Sequence, residues 1–310
     1  MIVDAQGETA TTVVDGKRDV SLINTTLSDI ARKFIKEQQD RLVKIHGYVG
    51  FNYAAHIGGQ PYKIGEWPLL SLMVPRTEVI IHGSSISING HGNKATPSLP
   101  SLLFSQSTFD SPHPITIDNE KEKTAYSSLV KKAVAEIKDN KYTKVIVSRA
   151  VDLTEEVDMP ATLLRGRRGN NPARSFSFSH AGFQATGFSP ELVLSLSKGK
   201  VITEPLAGTR SRFGTDEEIA RRRQDLLSDP KEIVEHVVSV MAAIGELKKF
   251  CDKPSVVVEE LMAVRDRSSV QHLGSRVSGK LADGKDGFDA FNVLFPAITA
   301  SGIPKAPALD

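Results

Sequence analysis

The sequence predicts an α+β fold of large, mostly antiparallel sheets with helices packed outside. Three observations lead there. Short strand-like runs lie close together between Gly and Pro residues, which favours antiparallel pairing over a crossover series. Long helical patterns stand apart from those runs instead of alternating with them. The 310 residues, 40% of them hydrophobic, are ample to bury a core as one large domain or two smaller ones.

Residues 25–42 carry helical spacing, with Leu27, Ile30, Ala31, Phe34 and Ile35 on one side. Residues 46–51 and 69–86 read as strands, the second rich in Val and Ile with Gly83 at a turn. The Ser- and Pro-rich stretch 98–116 reads as an exposed connection. Residues 122–138 form an amphipathic helical pattern with Leu129, Ala133 and Ile137 recurring. Strand runs follow at 144–153, 175–178, 191–196 and 200–203. A helix start is marked at Asp229, with Pro230 at the first helical position and Glu232 three residues on. That helix extends to Phe250, with Ile233, Val237, Val240, Met241, Ile244 and Leu247 as its apolar stripe. Strands at 255–264 and 268–281 and a short helix at 287–295 complete the pattern.

Charge excludes some partners. Lys plus Arg number 39 against 37 Asp plus Glu, a formal +2, which leaves no footprint for nucleic acid or an anionic membrane surface. Aromatics are 6% with one Trp, too few for a base-stacking platform. The basic clusters at Arg165, Arg167 and Arg168 and at Arg221, Arg222 and Arg223 read as solvated helix faces. Cys251 is alone, so no internal disulfide forms and a reducing compartment is expected. No apolar run reaches membrane-spanning length, and the N-terminus has no basic start followed by an apolar stretch. A cytoplasmic protein is the expectation.

Four stretches hold side chains suited to chemistry. Lys144 opens an apolar strand in YTKVIVSR. On spacing alone it is a sheet-edge lysine; at a desolvated pocket wall its neutral amine would serve as a base. Glu191 follows Pro190 in GFSPELV. Alone it is an ordinary surface glutamate, and buried it would be a carboxylic acid able to protonate a leaving hydroxyl. Glu232 and Glu235 in KEIVEH share one helical face, which suits a hard cation as well as it suits the positive end of a helix dipole. By spacing His236 could be a third ligand, but it reads first as a packing residue or a support behind those carboxylates. In ITEPLAGTR, the small residues Ala207, Gly208 and Thr209 let backbone N–H groups approach an anion, although AGT by itself is a turn.

The order KVIVSR, SPELV, ITEPLAGTR, DPKEIVEH, RDRSSVQHLGS and FPAITASGIPK resembles the chorismate-utilising enzymes, the anthranilate, aminodeoxychorismate, isochorismate and salicylate synthases. The resemblance covers residues 144–305 nearly continuously; before residue 120 only HGYVGFNYAAH is similar. It implies an N-terminal part of the fold over residues 1–120 and a chorismate-binding catalytic region over 121–310. ITEPLAGTR and QHLGS are most similar to salicylate synthases. Lysine at Lys144 resembles the members that add water to chorismate, where this amine is the base.

The resemblance further implies that Glu191 is the acid and that Mg2+ sits on Glu232 and Glu235. Gly208, Thr209, Thr299 and Ser301 would line the substrate pocket, with His272 near the ring or the leaving enolpyruvyl group. The product would be isochorismate, then salicylate and pyruvate, for a siderophore or another secondary metabolite. Isochorismate synthase without lyase activity is the neighbouring expectation. The family pattern continues past SGIPKAPALD with further strands, a second pair of metal carboxylates, and an Arg and Tyr for the pyruvyl carboxylate. The chain is therefore expected to be truncated, with a non-catalytic relic or scaffold as a third reading.

Overall fold

The computed structural model describes residues 1–39, 43–90, 115, 117–118, 120 and 123–309. The expected connection at 98–116 lies almost wholly outside these residues. The chain packs as two compact units, Met1–Pro112 and His113–Asp310.

In the first unit, β1 (Ile2–Gln6), β2 (Thr9–Val14), β3 (Lys17–Leu22), β4 (His46–Val49) and β5 (Leu70–Met73) form one antiparallel sheet in the order β3-β2-β1-β5-β4. Helix α1 (Leu27–Lys36) starts at Thr26, whose side chain accepts from the Asp29 N–H, and buries Leu27, Ala31 and Phe34. In α2 (Asn52–Ile57), Tyr53 is buried and its hydroxyl bonds Ser28 on α1 at 3.0 Å. Strands β6 (Thr77–His82) and β7 (Ser85–Gly90) make a separate hairpin. Its turn uses Gly83 at φ +59°, a region that glycine enters without steric cost. The weak alternation over residues 2–22 left β1 to β3 unread in the sequence, because β3 is exposed throughout and has no buried face to pattern it.

The second unit begins with α3 (Lys123–Lys138), the short β8 (Lys144–Val145), α4 (Met159–Gly169) and the hairpin β9 (Arg174–His180) and β10 (Phe183–Ser189). Its main sheet contains β11 (Leu192–Ser197), β12 (Lys200–Glu204), β13 (Leu206–Ser211), β14 (Val257–Arg267) and β15 (Val270–Lys280). Central β15 pairs antiparallel with β12, β13 and β14. Helices α5 (Asp216–Ser228) and α6 (Pro230–Leu247) pack against this sheet, and α7 (Gly287–Leu294) joins α6 over the core. That core gathers Val201 and Val277 from the sheet, Val240, Ala243, Leu247 and Phe250 from α6 and its end, and Ala290, Leu294 and Ile298 beyond. The strand β16 (Gly302–Ile303) pairs with β8, and α8 (Lys305–Leu309) follows.

The mostly antiparallel α+β expectation holds, with three local corrections. The run 144–153 forms a ladder only over Lys144–Val145, where β16 offers a partner. On α3 only Ala133 is buried, while Leu129 and Ile137 are 49% and 37% exposed. On α6 the buried stripe is His236, Ser239, Val240, Ala243 and Leu247; Val237 and Met241 face outward. The helix has turned because two polar side chains occupy its inner face: His236 bonds Ser275 through Nε2, and Ser239 donates to the Glu235 carbonyl.

Candidate functional site

Strand β8 carries Lys144 at a fixed place because β16 lies beside it: Ile303 pairs with Lys144 and Gly302 with Val145. Two further backbone bonds, Thr143 N–H to Ile303 O and Ile146 N–H to Ser301 O, lock this register at 2.7 and 2.8 Å. The same segment reaches Glu191. Thr299, in the 3-10 turn Ile298–Ala300, donates its hydroxyl to the Glu191 carboxylate. Glu191 sits where β10 gives way to β11, and the Ser189 hydroxyl donates to its carbonyl at 3.0 Å. Residues 299–303 thus touch both the amine-bearing strand and the acid.

Desolvation pushes the Glu191 carboxyl up to about 7, against the opposing pull of the Thr299 hydroxyl and the Lys144 and Lys305 charges. At neutral pH a substantial fraction is a proton-bearing acid. Ser301 is buried and its own hydroxyl is given to the Ala297 carbonyl at 2.8 Å, so it shapes the turn that presents Thr299.

The Lys144 ammonium pairs with Glu235 Oε1 at 2.8 Å. Burial would raise the Glu235 carboxyl, but the Lys144 hydrogen bond and charge outweigh it and hold it below the usual carboxylate range. One turn earlier, Glu232 bonds Arg210 at 3.2 Å. Asp229 caps α6 by accepting from the Lys231 and Glu232 N–H groups, which fixes the first turn from which both glutamates project. The Lys231 ammonium lies 3.5 Å from Glu232 Oε1 and 3.8 Å from Glu235 Oε2. One positive charge already meets both carboxylates. Both carboxylates therefore approach one common point, where a hard cation completing its shell with water and ligand would find two oxygen donors. Among the described residues no group of three or more His, Cys, Asp or Glu gathers as a fuller metal cage.

The AGT stretch is not a free turn but part of β13, whose register with β15 slips between Ala207 and Thr209. Gly208 sits at the slip with φ +79°, and a Cβ there would meet Glu232 Oε2 at 3.0 Å and Leu226 at 3.1 Å. Thr209 bonds His272 Nδ1 at 2.8 Å across the strand pair. Burial, helped by the Arg267 charge, lowers the His272 imidazole from its ordinary value, favouring the neutral ring.

Sequence reasoning missed three participants. Arg210 was read only as part of a motif; its bond to Glu232 spans 22 residues. Lys305 is buried with its ammonium on the Val293 and Leu294 carbonyls and on Glu246 at 2.9 Å. Burial pushes Lys305 down and Glu246 up. Lys231 carries no sequence signal beyond its place in the first turn of α6. A lysine in the otherwise apolar SGIPKAPAL was a readable signal for Lys305; the partners of Arg210 and Lys231 were not readable without the fold. Cys251 is buried and its thiol is pushed up to about 11 by that burial, in keeping with a passive thiol.

No described helix is long and apolar enough to cross a membrane. Residues 3–310 match the family model described as chorismate binding enzyme. The chain is 37% identical over 295 residues to the salicylate synthase of Mycolicibacterium paratuberculosis, covering 88% of this chain and 62% of that protein. It is 34% identical over 272 residues to anthranilate synthase component 1 of Methanothermobacter marburgensis, covering 85% of this chain and 58% of the relative. The chain thus spans less than two thirds of the length of these curated relatives. Its fold is that of anthranilate synthase component I from Streptococcus pneumoniae, with TM-score 0.77 at 20% identity, covering 100% of this chain and 75% of that one. The menaquinone-specific isochorismate synthase from Escherichia coli aligns with TM-score 0.68 at 20% identity, over 99% of this chain and 71% of that one. On the match of residues 3–310, this chain belongs to the chorismate binding enzyme family.

Proposed function

We propose that the chain has salicylate synthase-type chemistry, converting chorismate to isochorismate and then to salicylate and pyruvate. The observation that carries the reading is the segment 299–303, which holds Glu191 through Thr299 and Lys144 through β16. An amine and a protonated carboxyl are thereby tethered to one short stretch of backbone. The 37% identical relative named salicylate synthase supports this product over anthranilate.

In this reading the Lys144 ammonium first gives up its proton to solvent, and the neutral amine then takes a proton from water, which adds to the ring carbon next to the carboxylate-bearing one. The ring double bonds shift, and Glu191 protonates the departing hydroxyl, so one water enters and one leaves. Isochorismate then loses its side chain as pyruvate and becomes aromatic. Gly208, Thr209, Thr299 and Ser301 shape the pocket, and His272 stands by the ring or the enolpyruvyl group. Magnesium bound by Glu232 and Glu235 would supply charge neutralisation for the ring carboxylate. The product would feed a siderophore or another secondary metabolite.

The test is to incubate the protein with chorismate and Mg2+ and follow salicylate fluorescence and pyruvate. Both products are expected. Isochorismate alone would make this an isochorismate synthase, and neither product would leave a binding protein without turnover. Lys144→Ala should abolish water addition, and unchanged rates would overturn the assignment of the base.

A further inference from the structure

We propose that Arg210 is a positioning residue that fixes the Glu232 carboxylate in its cation-binding orientation, an inference that rests on the cation reading of Glu232 and Glu235. Arg210 joins the end of α5, the cap of α6 and Glu232 together. Its Nε donates to Asp225 Oδ2 at 2.6 Å, Nη2 to Asp229 Oδ2 at 2.8 Å, and Nη1 to Glu232 Oε1 at 3.2 Å. Nη1 also holds the Thr209 carbonyl at 3.0 Å, which ties the same guanidinium to β13.

The consequence for Glu232 is geometric. Its carboxylate is mostly buried, with the side chain 12% exposed. Arg210 takes Oε1, while Oε2 packs against Gly208, 3.0 Å from where a Cβ would stand. A carboxylate gripped at one oxygen and packed at the other has one orientation. The planar fork makes this possible, since one guanidinium addresses three carboxylates in fixed directions, which an ammonium cannot do. Partners behind a metal ligand orient it, and their loss typically weakens metal affinity about 10- to 100-fold.

Charge and orientation predict opposite outcomes, which makes the proposal sharp. By Coulomb's law alone, removing a cation beside Glu232 should tighten binding of another cation. Loss of orientation should weaken it.

The experiment measures free Mn2+ by electron paramagnetic resonance as it is titrated into the purified chain. Arg210→Met should weaken Mn2+ binding at least tenfold, with Arg210→Lys between Met and wild type. Arg223→Gln, which removes an exposed guanidinium on α5, should match wild type. Equal or tighter binding by Arg210→Met overturns the proposal. If that variant does not fold, Arg210→Lys decides alone: a wild-type affinity despite a lower melting temperature assigns Arg210 a purely structural part and overturns it. A wild-type chain that binds no Mn2+ removes the cation reading itself, and the positioning role falls with it.

Discussion

The Thr299 hydroxyl donates to the Glu191 carboxylate across 108 residues of sequence. This bond stabilises the ionised form of an acid that desolvation is pushing toward neutrality, and desolvation prevails, with the group near 7. Removing Thr299 therefore raises the acid further. Thr299→Val should move the basic limb of the pH–rate profile, or the Glu191 carboxyl resonance in a 13C titration, to higher pH.

Glu191 also sets a pH dependence of stability. Its folded value of about 7 exceeds the ordinary 4.5, so the folded state binds the proton more tightly than the unfolded chain. Stability then falls as pH rises from about 4.5 through about 7. Glu191→Gln removes this penalty. Relative to wild type, the variant should show an unchanged stability at pH 4 and a gain on the order of 3 kcal/mol at pH 8. A difference that does not grow with pH would contradict the burial of the acid.

Lys305 and Glu246 form a nearly buried pair, 14% and 13% exposed, and the ammonium also caps α7. Lys305→Met leaves Glu246 buried without its partner, a loss of about 3 to 5 kcal/mol in denaturant unfolding. The double variant Lys305→Met with Glu246→Leu should recover much of that loss, because no charge then remains to be desolvated.

His236 is fully buried and bonds the Ser275 hydroxyl at 2.7 Å. Ser275 also accepts the N–H of Met262, a residue at φ +54° where β14 bulges. His236→Ala should cost about 2 to 4 kcal/mol through a cavity and a lost partner. Ser275→Ala should cost less, and the two should be non-additive in a double-mutant cycle.

Gly208→Ala tests the slip in β13. The positive φ and the 3.0 Å approach to Glu232 both oppose a methyl group. A loss of about 1 to 3 kcal/mol is expected from the strained backbone. Mn2+ binding should weaken in the same variant, because the methyl displaces the carboxylate oxygen beneath it.

Local chemistry made several of these elements legible. Asp229 and Pro230 announce α6 because a cap and a preset φ act within one turn, and Gly83 marks a turn, which the structure places in the β6–β7 hairpin. The motif order singles out Lys144, Glu191, Glu232 and Glu235 as candidates. By contrast, β10 and β13 carry no strand reading in the sequence, and α4 and α5 show only as basic helix faces without bounds, since their apolar residues are few or lie on partly exposed faces. Apolar residues alone do not mark the inner face of α6, since His236 and Ser239 turn inward, bonded to Ser275 and to the Glu235 carbonyl.

The sequence alone determined the α+β class, the family and the residue types able to move protons, because these follow from periodicity, caps and short motifs. Tertiary structure decided which charges meet. Lys144 on Glu235, Arg210 on Glu232 and Thr299 on Glu191 join segments 91, 22 and 108 residues apart. No local propensity encodes such pairings; they arise when sheet register and helix packing bring distant side chains within hydrogen-bond reach and exclude the water between them.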